Sequence, residues 1–292
     1  MKVLISTDTS CLIKQDVFKG YDINLFPLNV IVDGEEFLDG VSINQEQLHA
    51  DMRAKKSIKT STPPLGEVVE YFEKLLAKGY DHIIHFTISS KLSSMFELFS
   101  NVAKQNFEGK VTIINSYALS SAMLAEVFLA YDQAQKGTPV EEIVKMVEEY
   151  KLQQNSIFFI PENLTALKNG GRISPAIALI GNSIGIKPVI VLEDGELKKS
   201  DMIRNVKRTM TDRISASLEK FSADNYDYTI VSFYPEEKVF EYIKNFACEN
   251  IAEEKIIYGS IPINVCAHCG PGTIGVIITP HFNGKSILDF VK

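Results

Sequence analysis

The fold is decided by residues 66–88, which have the sequence GEVVEYFEKLLAKGYDHIIHFTI. In the first half of this stretch, apolar residues recur at helical spacing over Val68–Leu76, and Gly79 closes the predicted helix. The segment His82–Ile88 is short, apolar and rich in β-branched residues, a pattern typical of a strand buried on both faces. A helix followed at once by such a strand is the repeating unit of a parallel α/β sheet.

Comparable strands and helices occur on both sides of this unit. Val3–Ile5 and Val111–Ile114 have the same short, β-branched character. Thr138-Pro139-Val140-Glu141 has the pattern of a capping box with proline at the first helical position. The alternation predicts a Rossmann-like α/β domain with a parallel sheet over residues 1–154.

The second half has more strands and fewer helices between them. Asp194-Gly195 lies between two extended runs and predicts a hairpin. Four further runs predict strands: YTIVSF (228–233), KIIYGS (255–260), INVCAHC (263–269) and TIGVII (273–278). We therefore expect a second, α+β domain with a mixed or antiparallel sheet over residues 155–292. Because no flexible linker separates the two halves, a ligand site is expected between the domains.

The composition excludes several functional classes. The chain has 292 residues, with 30 Lys and Arg against 37 Asp and Glu, and a net charge of −7. An acidic chain without a clustered basic face is a poor candidate for binding nucleic acid. No apolar run approaches the ~20 residues of a membrane helix, and the start MKVLISTDTS does not predict a signal peptide. Because the four cysteines are irregularly spaced, the sequence predicts a reduced, cytoplasmic protein.

Hydroxyl side chains cluster in two stretches, Lys59–Pro64 and Thr87–Ser94. Loops at the carboxyl ends of parallel strands bind ligands, and helix N-termini attract anions. Serine and threonine also serve as helix N-caps, but caps explain one residue per helix rather than eight hydroxyls. The two stretches therefore favour a site for a carboxylate or a phosphate.

The stretch Cys266-Ala267-His268-Cys269-Gly270-Pro271-Gly272 has cysteines at the spacing of a zinc or redox motif. A structural zinc ion needs four ligands, and Cys11 and Cys248 do not form a matching second pair. A redox cysteine usually begins a helix, whereas this segment is predicted to be a strand that enters a turn. We therefore predict no metal here. His268 is a candidate to donate to an anion or to transfer a proton, and a structural histidine in a turn is the alternative.

Two other motifs leave alternatives open. Asp8 follows the first strand and either contacts a ligand or caps the next helix. In Lys168–Ser174, Gly170 fits a helix C-cap with an exposed arginine, while Gly171 and Arg172 could approach a ligand or a partner. The phosphate-binding patterns GxGxxG and GxxxxGKS/T are absent, as are GxSxG and HExxH.

These motifs stand in a characteristic order along the chain. The full series is Thr7-Asp8-Thr9-Ser10, Phe26-Pro27-Leu28, Asp33-Gly34, Asp39-Gly40, Lys59-Thr60-Ser61-Thr62-Pro63, Ser89-Ser90-Lys91-Leu92-Ser93, Asn169-Gly170-Gly171-Arg172-Ile173-Ser174, Gly185-Ile186-Lys187-Pro188, Asp194-Gly195, Arg204 and Ala267-His268-Cys269-Gly270-Pro271-Gly272. With this series, the chain resembles the DegV family of bacterial fatty-acid-binding proteins nearly from end to end. It departs from the family pattern at Ser94 and Met95, where Gly and Thr are usual, and at Cys269, where Thr is usual.

The resemblance implies two domains with a long-chain fatty acid buried between them and no cofactor. By position, the carboxylate would be held by the hydroxyls of Thr60, Ser61 and Ser93, with Arg204 and His268 near the head group. The resemblance further implies that the chain is a carrier that presents the fatty acid to a separate ATP-dependent fatty-acid kinase. The acyl phosphate formed there would enter phospholipid synthesis, and Arg204 and His268 would stabilise the phosphoryl charge or help to dock the kinase.

An enzymatic function is the alternative. It would be a hydrolase that uses Ser93 with His268, or a phosphotransferase related to dihydroxyacetone kinases, which DegV proteins resemble in fold. The sequence offers no group to orient the histidine and no phosphate-binding loop, so the carrier hypothesis is favoured. Candidates for the lining of the lipid tunnel, with ordinary core as the alternative, are Phe86, Phe96, Ile177, Ile180, Ile184 and Ile186.

Overall fold

The structure is a computed structural model that describes residues 1–162, 164–173 and 185–291. Its strands are β1 (Val3–Asp8), β2 (Ile23–Phe26), β3 (Asn29–Val32), β4 (Glu35–Leu38), β5 (Ile58–Ser61), β6 (His82–Thr87), β7 (Val111–Asn115), β8 (Ser156–Ile160), β9 (Lys187–Glu193), β10 (Glu196–Ile203), β11 (Tyr226–Phe233), β12 (Ile256–Ser260) and β13 (Thr273–Pro280). Its α-helices are α1 (Gln45–Arg53), α2 (Leu65–Leu76), α3 (Met95–Asn106), α4 (Ser120–Gln135), α5 (Val140–Lys151), α6 (Thr165–Asn169), α7 (Val206–Lys220), α8 (Glu237–Asn250) and α9 (Ile263–Cys269).

The first half forms a four-stranded parallel sheet in the order β2-β1-β6-β7, as the sequence predicted. Both faces of this sheet are covered, which explains the continuous apolar runs. Leu4 and Ile83 pack in the cluster with α2 and α3, whereas the adjacent Ile5 and Ile84 pack in the cluster with α4. Successive side chains on a strand point to opposite faces, so α2 and α3 lie on one side and α4 on the other.

A small antiparallel sheet, in the order β4-β3-β5, carries the first hydroxyl-rich stretch. Asp33 and Gly34 join β3 to β4 with φ of 50° and 90°, the left-handed values that a tight hairpin turn needs. Thr60 and Ser61 therefore lie in a strand, which corrects the expectation that they belong to a loop before α2. Pairing with β3 holds their backbone in place.

The second half forms a six-stranded mixed sheet in the order β10-β9-β8-β13-β11-β12, in which only β11 and β12 pair in parallel. The hairpin predicted at Asp194-Gly195 is present, with φ of 51° and 77° at its two turn residues. Helices α7 and α8 pack on one face of the sheet through Met210, Ile214 and Ile243. This mixed sheet confirms the fold class predicted for the second half.

The prediction of a strand over residues 263–269 is wrong, because Ile263–Cys269 form the helix α9. Isoleucine, valine and cysteine favour strands in isolation, but propensity is a weak prior that tertiary contacts override. Pro262 stands at the N-cap, and Gly270 ends the helix with φ of 74°. The turn predicted at Gly270-Pro271-Gly272 therefore follows a helix rather than a strand.

Helix α4 is the centre of the molecule and packs against β1 on one side and β13 on the other. Nearly all of its residues from Ser120 to Gln133 are buried, as expected for a helix that contacts protein all round. Its cluster joins Ile5 of the parallel sheet to Ile277 of the mixed sheet. Among the described residues, no helix is both long and apolar enough to cross a membrane.

Candidate functional site

A cavity lies between the two halves, with an empty volume of about 1170 Å³ including its opening. Its apolar walls come from both halves: Leu28, Ile88, Leu92, Met95 and Leu119 from the first, and Ile157, Phe159, Leu167, Leu192, Leu197, Val231, Ile261 and Ile277 from the second. We call this space the main cavity.

Thr60, Ser61 and Ser93, the three predicted carboxylate-binding residues, all line the main cavity. Thr60 and Ser61 come from β5, and Ser93 stands two residues before α3. The Ser61 hydroxyl donates to Glu36 Oε1 at 3.2 Å, while Ser93 Oγ accepts a long bond of 3.4 Å from the Met95 amide. The structure thus brings the two hydroxyl-rich stretches together at one end of the cavity, which we call the head end.

Three other hydroxyls of the second stretch have structural partners. Thr87 Oγ1 donates to the carbonyl of Ile114, and Ser90 Oγ accepts from the Asn115 side chain. Ser89 Oγ donates to the carbonyl of Gly195 at 2.7 Å and so joins the first half to the β9–β10 hairpin. Of the eight hydroxyls, these three do not line the main cavity.

His268 also lies at the head end, where its Nε2 is 2.9 Å from Thr60 Oγ1. Its Nδ1 is buried and has no hydrogen-bond partner among the described residues. Burial, together with the nearby positive charge of Arg172, lowers the pKa of His268 to about 4. The imidazole is therefore neutral near pH 7, and one of its nitrogens can accept a hydrogen bond.

His268 packs directly on the backbone of Gly170, which gives the two-glycine motif a physical reason. A Cβ at Gly170 would lie 2.2 Å from His268 Nδ1, far inside van der Waals contact. Gly171 has φ of 69°, so it is the left-handed residue that follows α6. Gly170 is the C-cap of α6, as the sequence pattern indicated, and the left-handed Gly171 follows it.

Arg172 lines the head end half-buried, although its motif fitted an exposed arginine equally well. Its Nε donates to the carbonyl of Leu92 at 3.2 Å, and its Nη1 donates to the carbonyl of Gly170. Burial lowers the pKa of Arg172, but a guanidinium remains charged at neutral pH. Arg204 is exposed just after β10 and is not one of the residues that line the main cavity.

A second cavity, which we call the vestibule, adjoins the head end and shares Thr60, Arg172 and His268 with it. Its empty volume is about 1290 Å³ including its opening. Among the described residues of its lining, Arg53, Lys56, Lys59 and Arg172 are basic and Glu162 is acidic. Lys56 is paired with Asp51 at 2.8 Å, and Glu162 is paired with Lys187. This concentration of positive charge favours an anion beside Thr60 and His268.

The two cysteines of the Cys-x-x-Cys motif are buried in α9, and Cys269 lines the main cavity. Cys266 donates to the carbonyl of Ile261, and burial raises its pKa well above the ordinary value, so it is a thiol at neutral pH. Within residues 1–162, 164–173 and 185–291, no three His, Cys, Asp or Glu side chains are placed to hold a metal ion.

Asp8 has the structural function that the sequence offered as one alternative. Its side chain accepts the amide N–H groups of Ser10 at 2.8 Å and Ile88 at 2.9 Å, and so caps the short 3₁₀ turn Thr9–Cys11. Burial raises the pKa of Asp8 to about 6. It does not line the main cavity.

The tunnel candidates are mostly core or lie elsewhere. Phe86 is fully buried in the core, and neither it nor Phe96 nor Ile186 lines the main cavity. Ile177, Ile180 and Ile184 lie outside the described residues. The observed apolar lining comes instead from the mixed sheet and from residues beside the second hydroxyl-rich stretch.

The sequence model of the DegV family, described as an uncharacterised protein family, matches residues 2–281. The chain belongs to the DegV family. A DegV domain-containing protein of Clostridium acetobutylicum is 31% identical over 284 residues, which cover 94% of this chain and 97% of that protein. One from Staphylococcus aureus is 28% identical and covers 95% and 98% of the two chains.

Solved structures of DegV-family proteins share the fold. A fatty-acid-binding DegV protein from Thermus thermophilus superimposes with a TM-score of 0.85 at 22% identity, covering 96% of this chain and 100% of that one. A stearic-acid-binding protein from Eubacterium ventriosum gives a TM-score of 0.83 at 23% identity, covering 96% and 99%. The resemblance stated from the sequence motifs is therefore confirmed at the level of family and fold.

Proposed function

We propose that this DegV-family chain is a carrier that binds one long-chain fatty acid in the main cavity. The observation that carries the proposal is the combination of an apolar space between the halves with a polar head end formed by Thr60, Ser93, Arg172 and His268. The fatty-acid-binding proteins with the same fold support the same class of ligand. We further propose that residues 1–154 and 155–292 are the two domains that enclose it.

The size of the hydrophobic effect is sufficient for such a carrier. About 14 methylenes at ~0.8 kcal/mol each give a gross transfer free energy near ~11 kcal/mol. The loss of translational and conformational freedom removes part of this gain, yet the remainder supports stable sequestration. The apolar walls therefore supply affinity, and the head end supplies orientation.

At the head end, each group has a distinct task toward a carboxylate. The hydroxyls of Thr60, Ser61 and Ser93 can donate without adding charge, which suits a group that must later be modified or released. Arg172 supplies a positive charge that is already fixed by its bonds to the carbonyls of Leu92 and Gly170. The N-terminus of α3 lies next to Ser93 and contributes free amide N–H groups.

We also propose that a separate ATP-dependent kinase converts the bound fatty acid to an acyl phosphate for phospholipid synthesis, in the cytoplasm where ATP is present. In this step a carboxylate oxygen attacks the γ-phosphorus, the bond to the β-phosphate oxygen breaks, and ADP leaves. The vestibule supports this proposal because its Arg53, Lys56 and Lys59 surround the route to the head end with positive charge. The exposed Arg204 is then a candidate contact to the kinase rather than to the carboxylate.

The geometry weighs against an acyl hydrolase that uses Ser93 with His268. Nε2 of His268 is bonded to Thr60 rather than to Ser93, and Nδ1 has no orienting partner among the described residues. A nucleophilic serine needs a base within hydrogen-bond reach and a third group that orients the base. We therefore propose that the chain itself does not catalyse turnover.

The test is a paired measurement on lipid-free protein: the dissociation constant for hexadecanoic acid, and the rate of acyl-phosphate formation with a cognate kinase and ATP. A charge-assisted bond is worth about 1.5–3 kcal/mol, so Ser93→Ala is expected to weaken binding roughly 10–100-fold. Ser90→Ala, in the same loop but outside the cavity, is the matched control and should bind normally. Arg204→Ala and His268→Ala should bind nearly normally but form acyl phosphate much more slowly, because interactions made only during transfer change rate rather than affinity.

Three outcomes would contradict the proposal. Absence of stoichiometric binding of hexadecanoic acid would reject the carrier function. Sustained hydrolysis of an acyl ester that is lost in Ser93→Ala would favour the enzymatic alternative. A normal kinase-coupled rate in His268→Ala, combined with a loss of affinity as large as that of Ser93→Ala, would make His268 a simple head-group ligand.

A further inference from the structure

A third cavity has the lining residue Leu192 in common with the main cavity, and we call it the tail chamber. Its empty volume is about 1720 Å³ including its opening. Tyr117, Glu126, Lys151 and Thr279 are among the residues that line it. Neither the proposed function nor the sequence motifs assign any task to this space.

The tail chamber continues the axis of the main cavity, as the strand β13 shows. Thr273, Gly275 and Ile277 line the main cavity, and Thr279, which is next on the same face of the strand, lines the tail chamber. At about 3.4 Å per residue, the row from Thr273 to Thr279 spans ~20 Å. A fatty acid whose acyl chain follows this face from the head end would therefore extend toward Thr279.

Three other elements also contribute residues to the linings of both cavities. Leu192 of β9 lines both cavities. Ile157 of β8 lines the main cavity, and Asn155, just before that strand, lines the tail chamber. In α4, Ser120 lines the main cavity and Glu126 lines the tail chamber. The Leu192 side chain is thus a wall common to the two spaces.

Three residues that line these two cavities have buried polar atoms without partners. Ser120 Oγ, Glu126 Oε2 and Thr279 Oγ1 have no hydrogen-bond partner among the described residues. Their side chains belong to residues that are only 1%, 3% and 1% exposed. Buried polar groups are normally hydrogen-bonded, and an acyl chain that ends in a methyl group could bond to none of them.

The charges around the tail chamber favour a neutral oxygen over a second carboxylate. Glu148, Glu193 and Asp194 line it against Lys151 and Lys220, and Lys151 is already bonded to Glu148 and to the carbonyl of Asn115. Burial raises the pKa of Glu126 well above its ordinary value and so favours the protonated carboxyl. A protonated carboxyl both donates and accepts, as a hydroxyl partner requires.

We propose that the chain accepts long-chain fatty acids that carry a hydroxyl group at the end distant from the carboxylate, with Thr279 and Glu126 as its partners. The proposal rests on the proposed carrier function and names the class of fatty acid that this carrier admits. An apolar tunnel end would instead reject such a hydroxyl, because burying it without a partner is costly.

The experiment measures dissociation constants of lipid-free protein for two matched pairs: hexadecanoic with 16-hydroxyhexadecanoic acid, and octadecanoic with 18-hydroxyoctadecanoic acid. In at least one pair, the wild-type protein is expected to bind the hydroxy acid within about threefold of the parent acid or more tightly. Thr279→Val should weaken binding of the hydroxy acid, relative to the parent, by about 5–10-fold. Glu126→Leu should do the same, and it keeps the test decisive if Thr279→Val fails to fold.

Thr229→Val is the matched control, because Thr229 Oγ1 is also buried without a partner among the described residues but lines none of the three cavities. It should leave the ratio of the two affinities unchanged. The inference is overturned if the wild-type protein binds both parent acids but both hydroxy acids more than about 30-fold less tightly, or if both variants leave the ratio unchanged. Failure to bind either parent acid would instead reject the carrier function, and binding of hydroxy acids alone would still support the inference.

Discussion

At the scale of single residues, the contact between His268 and Gly170 fixes the head end. The imidazole ring lies where a side chain at position 170 would be, so position 170 cannot carry a Cβ beside this ring without displacement. The same ring contacts Thr60, and burial together with the nearby charge of Arg172 lowers its pKa. One small residue therefore allows β5, α6 and α9 to meet at the site.

We expect Gly170→Ala to destabilise the protein by about 1–3 kcal/mol, as overpacking of a close contact does. The new methyl group would displace the imidazole and break its bond to Thr60. The measurement is a double-mutant cycle with His268→Ala, read as the free energy of unfolding. Most of the cost of Gly170→Ala should vanish once the ring is removed.

Gly79→Ala is the control, because Gly79 has φ of 87° and no atom lies within 4 Å of the place that its Cβ would take. Its cost, about 1–2 kcal/mol from the left-handed backbone, should be the same with and without His268. An equal cost of Gly170→Ala in both backgrounds would contradict the steric explanation.

The residues of the head end could be predicted only in part from the sequence. The clustering of hydroxyls indicated the two stretches, and the family resemblance then implied Thr60, Ser61 and Ser93 within them. Arg172 could not be assigned to the site, because an arginine after two glycines has the same pattern as a solvent-exposed helix end. The position of Arg172 depends on its bonds to the carbonyls of Leu92 and Gly170. Leu92 is 80 positions away, so the sequence around Arg172 could not predict this contact.

At the scale of elements, α9 owes its position to Asp39. The Asp39 carboxylate accepts the amide N–H of Asn264 at 3.0 Å in the first turn of the helix, and the Asn264 side chain donates to Ser10. An acceptor at a helix N-terminus satisfies an otherwise unpaired donor. Because this acceptor comes from a residue 225 positions away, the sequence around Cys266 could not indicate a helix.

We expect Asp39 to make the protein less stable as the pH rises. Burial raises the pKa of Asp39 to about 7, from 3.8 in the unfolded chain. Between about pH 4 and 7 the unfolded state releases the proton while the folded state keeps it, so the free energy of unfolding falls. Asp39→Asn cannot titrate, and it should gain on the order of 2 kcal/mol relative to the wild-type protein between pH 5 and pH 8.

The measurement is urea unfolding of both proteins in matched buffers across this range. Taking the difference between them removes the opposite contribution of His85 and His268, whose lowered pKa values favour the folded state as the pH rises toward neutral. Asp39→Ala is the control, and it should be less stable than Asp39→Asn at every pH because the Asn264 amide loses its acceptor. A difference between Asp39→Asn and wild type that does not change with pH would contradict the expectation.

Most strands were predictable because a buried strand has a recognisable side-chain pattern within its own short stretch of sequence. The runs at His82–Ile88, Tyr228–Phe233 and Thr273–Ile278 are apolar and β-branched, and each is a strand in the structure. The small sheet of β3, β4 and β5 was not predicted, since its strands are short and carry half-exposed polar residues. These strands are stabilised by backbone pairing of β3 with β4 and β5 and are not evident from their side-chain pattern.

At the scale of the whole molecule, the two halves share one hydrophobic core. The cluster around α4 contains Ile5 and Ile84 from the first half together with Ile257 and Phe282 from the second. Backbone bonds also cross between the halves, for example from the Ser260 amide to the carbonyl of Ile13. Neither half can bury its share of this core alone.

We therefore expect a single cooperative unfolding transition in urea, although the chain contains two separate main sheets. The transition measured by far-ultraviolet circular dichroism should coincide with that measured by tyrosine fluorescence. Hexadecanoic acid in excess should move both midpoints upward together, since a ligand that binds only the folded state stabilises it. Two separated transitions, or folding of residues 1–154 expressed alone, would show that the halves are independent.

On the proposed carrier function, the enclosure of the main cavity by both halves would also govern the timing of exchange. A fatty acid held between Leu92 and Leu119 of the first half and Ile157 and Ile277 of the second would not leave through these packed walls. Its residence time is then set by how often the walls separate, and not by the strength of its own contacts alone. Such a separation must break the hydrogen bond from Ser89 to the carbonyl of Gly195. The rate of delivery to an acceptor would then be limited by the opening of the carrier, and it would saturate as the acceptor concentration rises.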